Sequence, residues 1–165
     1  MVPTPSPDSL IPFFNPTGVV VFGVSQNPTK LGFGLARNLV QCDYRGAIHF
    51  VNPRGGTLLE RPVYRTLADV PDPVDLAVLL IPATAVPATL HACGKRGIRA
   101  AIIAAGGFRE TGPDGAALEA RCQAIAEEYG MRFVGPNCIG ILDTHLPLDT
   151  TFLPPPGPTP GAIAF

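Results

Sequence analysis

The sequence predicts a Rossmann-like, doubly wound α/β fold, with a mostly parallel sheet in a single domain. Three observations carry this expectation. Short runs of Val, Ile, Leu and Phe alternate with amphipathic stretches of helical length, and nearly every apolar run is stopped on its C-terminal side by glycine or proline. Such alternation calls for right-handed crossovers between parallel strands, which bring the punctuated loops to one edge of the sheet. That edge is where such folds bind ligands.

Residues 1–16 hold five prolines among scattered apolar residues and predict an extended arm lying across the domain. Val19-Val20-Val21-Phe22 then reads as a buried strand that breaks at Gly23 into a polar loop. Residues 31–42 read as a helix with Leu35, Leu39 and Cys42 on one face. A second strand over 47–52 is stopped by Pro53 and the pair Gly55-Gly56, with Arg54 just past its end. Residues 57–73 read as a connector containing one small apolar piece, Pro62-Val63-Tyr64.

The run over 74–81 is almost continuously apolar, as suits a central parallel strand covered on both faces. Thr84 is the expected cap of a helix over 84–96, with Val86, Leu90 and Cys93 inward and Gly97 as its stop. A fourth strand spans 99–105 and closes into Gly106-Gly107-Phe108. Residues 114–129 form the strongest helical pattern, with Leu118, Cys122, Ile125 and Tyr129 on one stripe and Gly130 as terminator. A short fifth strand over 131–134 runs into Gly135-Pro136-Asn137-Cys138-Ile139-Gly140. The expected organisation is therefore an arm over 1–16, the domain over 17–150, and a proline-rich linker over 151–165. Apolar character resumes at Ala162-Ile163-Ala164-Phe165, which the resemblance given below implies is the first strand of a following domain.

Composition narrows the function. Twelve basic and thirteen acidic residues give a net charge of −1, so no global field draws the chain to nucleic acid or a membrane surface. No apolar run approaches the roughly 20 residues of a membrane span, and residues 1–12 lack the basic start of a secretory signal. A cytoplasmic protein is expected. Cys42, Cys93, Cys122 and Cys138 lack paired C-x-x-C spacing, and His49, His91 and His145 are not spaced as metal ligands, so reduced thiols and no metal site are expected.

The loop chemistry points to a bound anion. The dinucleotide fingerprint G-x-G-x-x-G is absent, because Gly23 is followed by Val24 and Ser25, and Gly32 and Gly34 come only after an insertion containing Pro28 and Lys30. The second strand ends in Asn52-Pro53-Arg54, a cation where a bare ribose diol would want a carboxylate. That favours a phosphorylated ribose, which NADP and coenzyme A both carry. Lys30 and Arg54 are the phosphate candidates, one a point charge and the other a fork. Cys138 lacks a neighbouring base in sequence other than His145, which favours a structural thiol over a nucleophile. No phosphate-binding Walker lysine, nucleophile elbow or paired-carboxylate pattern is present.

The order of motifs carries a resemblance. Gly23-Val24-Ser25 with Lys30-Leu31-Gly32, Val51-Asn52-Pro53-Arg54-Gly55, Pro62-Val63-Tyr64, Val74-Asp75-Leu76-Ala77, Ile81-Pro82-Ala83, Gly107-Phe108 with Glu110-Thr111-Gly112, and the Gly135 to Gly140 loop follow one another as in a known domain. It resembles the CoA-binding domain of NDP-forming acyl-CoA synthetases, a group similar to the succinyl-CoA synthetase α subunit and the ADP-forming acetyl-CoA synthetases. The resemblance implies that Gly23, Val24, Ser25 and Gln26 meet the nucleotide and its phosphates, and that Asn52, Pro53 and Arg54 hold the phosphorylated ribose. It further implies that Ile81, Pro82 and Ala83, with Ala105, Gly106 and Gly107, flank the adenine and pantetheine, and that Asn137 and Cys138 lie toward the thiol end. The family often has Lys where Arg54 stands.

The family reaction joins a carboxylic acid to CoA through an acyl phosphate and a phosphohistidine. By resemblance, the phosphohistidine domain, the ATP-grasp module and the ATP, ADP and magnesium they use are partners of this segment and no part of it. The expected role is a CoA-binding fragment of an acid–CoA ligase, non-catalytic by itself and binding CoA or acyl-CoA. The alternatives are a regulatory CoA-binding domain fused to an acetyltransferase, a stand-alone small CoA-binding protein, and an NADP-binding Rossmann domain.

Overall fold

The computed structural model describes residues 10–161. Seven strands make the main sheet: β1 (Gly18–Phe22), β2 (Ala47–Val51), β3 (Gly56–Leu58), β4 (Arg61–Tyr64), β5 (Leu76–Leu79), β6 (Ala100–Ile103) and β7 (Arg132–Val134). Their order is β3-β4-β2-β1-β5-β6-β7, and every neighbouring pair is parallel except β3 with β4. Without β3 this is the Rossmann strand order, whose direction of winding reverses between β1 and β5. The fold class and the common edge for the loops after β1, β2, β5, β6 and β7 agree with the expectation.

Alternation along the strands sorts the core into two layers. Val19 and Val21 of β1, Phe50 of β2, Leu76 and Val78 of β5 and Ile102 of β6 pack toward α2 (Leu31–Gln41), which contributes Leu35, Ala36 and Leu39. Val20, Phe22, Leu79 and Ile103 pack on the opposite face, under α3 (Val86–Arg96) and α4 (Pro113–Tyr129). All four residues of β5 are fully buried, which is why that strand reads as an unbroken apolar run. Gly97 and Gly130 end α3 and α4 in the left-handed conformation, as expected of glycine stops.

Four readings are corrected. Residues 57–73 are not only a connector, because β3 and β4 form a hairpin that extends the sheet, joined by Leu59 and Glu60, both at positive φ. Pro62 is tolerated because the β4 ladder with β2 begins only at Val63. Within the arm, Ile11–Phe14 makes one helical turn, α1, which seats Phe13 in the α2-side core. Thr84 does not cap α3: a 3-10 turn over Ala83–Ala85 leads into the helix, Ala85 holds the cap position, and no side chain bonds there. The segment before the proline-rich stretch also pairs with itself, as β8 (Leu142–Asp143) and β9 (Leu148–Asp149).

The chain after β9 is strapped to α2. The buried Asn38 donates its amide to the carbonyls of Thr151 and Leu153, at 3.1 and 2.8 Å, and Arg37 donates to Leu153 as well. Residues 154–161 are exposed and without regular structure, and the strand expected at 162–165 lies outside the described residues. Among the described residues no helix is long and apolar enough to cross a membrane.

One polar group in the β2 layer lacks a partner. His49 is 9% exposed and its Nε2 is buried without a hydrogen bond. Burial pushes its imidazole pKa down, against a smaller upward pull from the Pro73 backbone. An imidazole whose folded pKa is lowered binds protons more readily in the unfolded chain. Its neutral form therefore supports the fold above the ordinary value of about 6.5, and that support is lost as pH falls below it. Urea unfolding midpoints measured from pH 8 to pH 5 should fall on the acid side, and His49→Phe should flatten that part of the profile; an unchanged slope would remove His49 as its source.

Candidate functional site

The site begins with a backbone-to-backbone approach. Gly23, at φ +89°, ends β1 so close to Leu80 that a Cβ there would collide with the Leu80 carbonyl. Gly32, in the first turn of α2, lies against the Gly23 carbonyl in the same way. These two glycines draw the start of α2 onto the end of β1, the task that the third fingerprint glycine performs elsewhere. Gly32 belongs to the Lys30-Leu31-Gly32 motif, and its spacing from Gly23 does not fit that fingerprint.

Above this contact lies a cleft of about 1050 Å³ over the carboxyl ends of β1 and β2. Of the expected site residues, Gly23, Val24, Ser25, Gln26 and Lys30 line it from the first loop, and Asn52, Pro53 and Arg54 from the second. Leu58 and Val63 of the hairpin and Leu80 after β5 add an apolar wall. Among the described residues no aspartate or glutamate lines the cleft, although the chain has thirteen acidic residues.

The loops are held by their own side chains. Asn52 donates its amide to the Val24 carbonyl at 2.8 Å and accepts from the Arg54 amide at 3.0 Å, so it ties the first loop to the second. Gln26 donates to the Thr57 carbonyl at 3.0 Å, tying the first loop to β3. Ser25 accepts from the Asn27 amide, and Asn27 from the amide and hydroxyl of Thr29. Ser25, Gln26 and Asn52 are thus positioning residues in this structure, with Ser25 and Asn52 in turn geometries of the kind such residues favour.

Lys30 and Arg54 differ from these. Both are exposed, and neither side chain has a hydrogen-bond or ion-pair partner among the described residues. Lys30 stands at the N-terminal cap of the eleven-residue α2; the Phe33 and Gly34 amides bond its carbonyl, which leaves the Leu31 and Gly32 amides at the helix start without a helical carbonyl to bond. A cleft with fixed loops, no carboxylate, two unpaired cations and a helix start suits an extended polyanion.

The remaining expected residues form a second stretch of the same edge and do not line the large cleft. Ile81 reaches back to Gly23, its Cγ2 lying 3.1 Å from where a Gly23 Cβ would stand. Pro82 precedes the 3-10 turn that begins at Ala83, and the Ala83 methyl faces Gly107. Ala105 accepts the Asn137 amide at 2.9 Å, bringing the loops after β6 and β7 together. The side chains of Asn137 and Glu110 converge over Gly106. Glu110 accepts the Gly107 amide at 2.6 Å, and this backbone bond holds its carboxyl below the usual range. No role in this loop had been read for Glu110, since nothing in its sequence position signals a bond three residues back.

Cys138 faces inward. Its Sγ approaches the Ile103 carbonyl at 3.5 Å, the side chain packs against the α2-side core, and burial raises the thiol pKa. That is the setting of a structural thiol.

Two outcomes follow. Asn52→Ala removes both bonds of the clamp and should lower stability by about 1–3 kcal/mol in urea unfolding; a loss within error would show that the loops hold each other without it. Alkylation at pH 7, followed by mass spectrometry, should label Cys138 more slowly than an unfolded control peptide of the same sequence, because the raised pKa depletes the thiolate; faster labelling would mark an activated thiol.

Comparison with known proteins assigns the fold and the family. The CoA binding domain family model matches residues 17–144. The α subunit of ADP-forming acetate–CoA ligase I from Pyrococcus furiosus is 39% identical over 164 residues, covering 95% of this chain and 35% of the relative. The crystal structure of PH0766 from Pyrococcus horikoshii OT3 superposes with a TM-score of 0.83 at 40% identity, covering 88% of this chain and 33% of that one. The dinucleotide forming acetyl-coenzyme A synthetase 1 of Ca. Korarchaeum cryptofilum, in complex with phosphate and ADP, gives 0.83 at 36% identity, covering 89% and 31%. The chain thus spans about a third of the length of the P. furiosus relative. With a match that takes in every strand of the main sheet and the cleft above it, the chain belongs to the CoA-binding domain family, as its order of motifs implied.

Proposed function

We propose that this chain supplies the coenzyme A site of an acid–CoA ligase of the ADP-forming type. The observation that carries the proposal is the acid-free cleft with Lys30 and Arg54 unpaired on its rim. In this reading the pyrophosphate of CoA lies by Lys30 and the first amides of α2, and the ribose 3′-phosphate meets Arg54. Gly23, Val24, Ser25 and Gln26 form the wall beside the nucleotide. The pantetheine arm runs past Ile81, Pro82 and Ala83, then past Ala105, Gly106 and Gly107 toward Asn137, where its thiol is delivered to a reacting acyl group.

The division of labour follows from the chemistry on the edge. The rim offers cations, amides and close-approach glycines, which bind and orient, and Cys138 is turned inward with a raised pKa. In this reading the acyl phosphate and phosphohistidine steps, and the ATP, ADP and magnesium they use, belong to partner modules. The relative named an ADP-forming acetate–CoA ligase subunit supports that assignment.

Isothermal calorimetry with CoA, dephospho-CoA and NADP tests the proposal. CoA should bind more tightly than dephospho-CoA, and Arg54→Ala should weaken CoA binding by about 1.5–3 kcal/mol, as expected for a hydrogen bond to a charged group. Equal binding of CoA and dephospho-CoA would remove the role given to Arg54. Tight binding of NADP without binding of CoA would overturn the CoA reading.

A further inference from the structure

We infer that Arg65 is a second guanidinium of the ribose-phosphate subsite, acting beside Arg54. This rests on the CoA reading above and adds a specificity residue to it.

The inference comes from the hairpin. β4 runs parallel to β2, so its C-terminal end reaches the same edge of the sheet as the Asn52-Pro53-Arg54 turn. Arg65 is the first residue past that end. Its side chain lies along the turn: a Cβ added to Gly55 would stand 3.2 Å from both Cγ and Nε of Arg65. Gly55 is at φ +65°, so it both makes the turn and leaves room for the arginine stem. Arg65 does not itself line the cleft, but Gly55, which does, has Arg54 beside it in the chain and the Arg65 stem against it in space.

The charges are uncompensated. Arg65 is exposed, and like Arg54 it has no hydrogen-bond or ion-pair partner among the described residues. Other arginines of the chain do find partners: Arg96 bonds two carbonyls and Asp72, and Arg109 bonds Glu119. Two like charges held beside one turn repel each other until an anion comes between them. A phosphomonoester dianion answers both, since each guanidinium can present two parallel donors to its oxygens. A phosphodiester, with one negative charge and fewer free oxygens, matches the pair less well. The Arg54–Arg65 pair is thus assigned to the 3′-phosphate, leaving Lys30 and the start of α2 to the pyrophosphate.

Calorimetry on the 165-residue chain separates this inference from the reading beneath it. Arg65→Gln keeps much of the stem over Gly55 and removes the charge. It should reduce the preference for CoA over dephospho-CoA by about tenfold, as loss of one charge-assisted bond implies, and leave dephospho-CoA affinity and the thermal midpoint unchanged. Arg65→Lys should restore only part of the preference, because an ammonium cannot make the forked contact. An Arg54→Ala/Arg65→Gln double-mutant cycle should show coupling for CoA and none for dephospho-CoA. An unchanged preference in Arg65→Gln, with the unaltered chain still favouring CoA, would overturn the role of Arg65 and leave the CoA reading standing. Absence of CoA binding to the unaltered chain would overturn both.

Discussion

The contact on which the rest of the site depends is between main chains. Gly32 in the first turn of α2 touches the carbonyl of Gly23, and Gly23 in turn touches that of Leu80, with no side chain between them. The start of α2 and the ends of the neighbouring strands β1 and β5 are thereby held at a spacing only glycine permits. The same contact sets Lys30 and the start of α2 at the cleft. The loops then need only small adjustments, which Asn52 and Gln26 provide by binding carbonyls of neighbouring segments.

The same edge divides into two chemical halves at the point where the winding of the sheet reverses. Over β1, β2 and the hairpin the lining is cationic and lacks any carboxylate. Over β6 and β7 it carries Ala105, Gly106 and Gly107 with the Glu110 carboxylate, whose oxygen is engaged by the Gly107 amide. Under the coenzyme A reading proposed above, the charged end of the ligand would face Lys30 and Arg54 and its thin end the small residues.

Much of this was legible in the chain. Buried parallel strands announce themselves as continuous apolar runs, and 74–81 is the clearest, because β5 is covered on both faces. Lys30 and Arg54 were legible because each follows a strand end marked by glycine or proline. The hairpin was not, for a local reason: its turn is Leu59-Glu60, both at positive φ, where sequence signals of such turns are Asn and Gly. Missing the hairpin also hid Arg65, whose proximity to Arg54 exists only once β4 is laid beside β2. The turn at Ile11–Phe14 is too short to show a period, and its stability comes from Phe13 entering the core. Thr84 failed as a cap because the preceding 3-10 turn already places the backbone for entry into α3.

The grip of Asn38 on Thr151 and Leu153 has a mechanical meaning. The exposed proline-rich stretch leaves the domain from that anchor, and α2 is the element that receives it. A load on residues 154–161 would therefore fall first on the Asn38 bonds to Thr151 and Leu153, and so on α2, rather than on the loops that line the cleft.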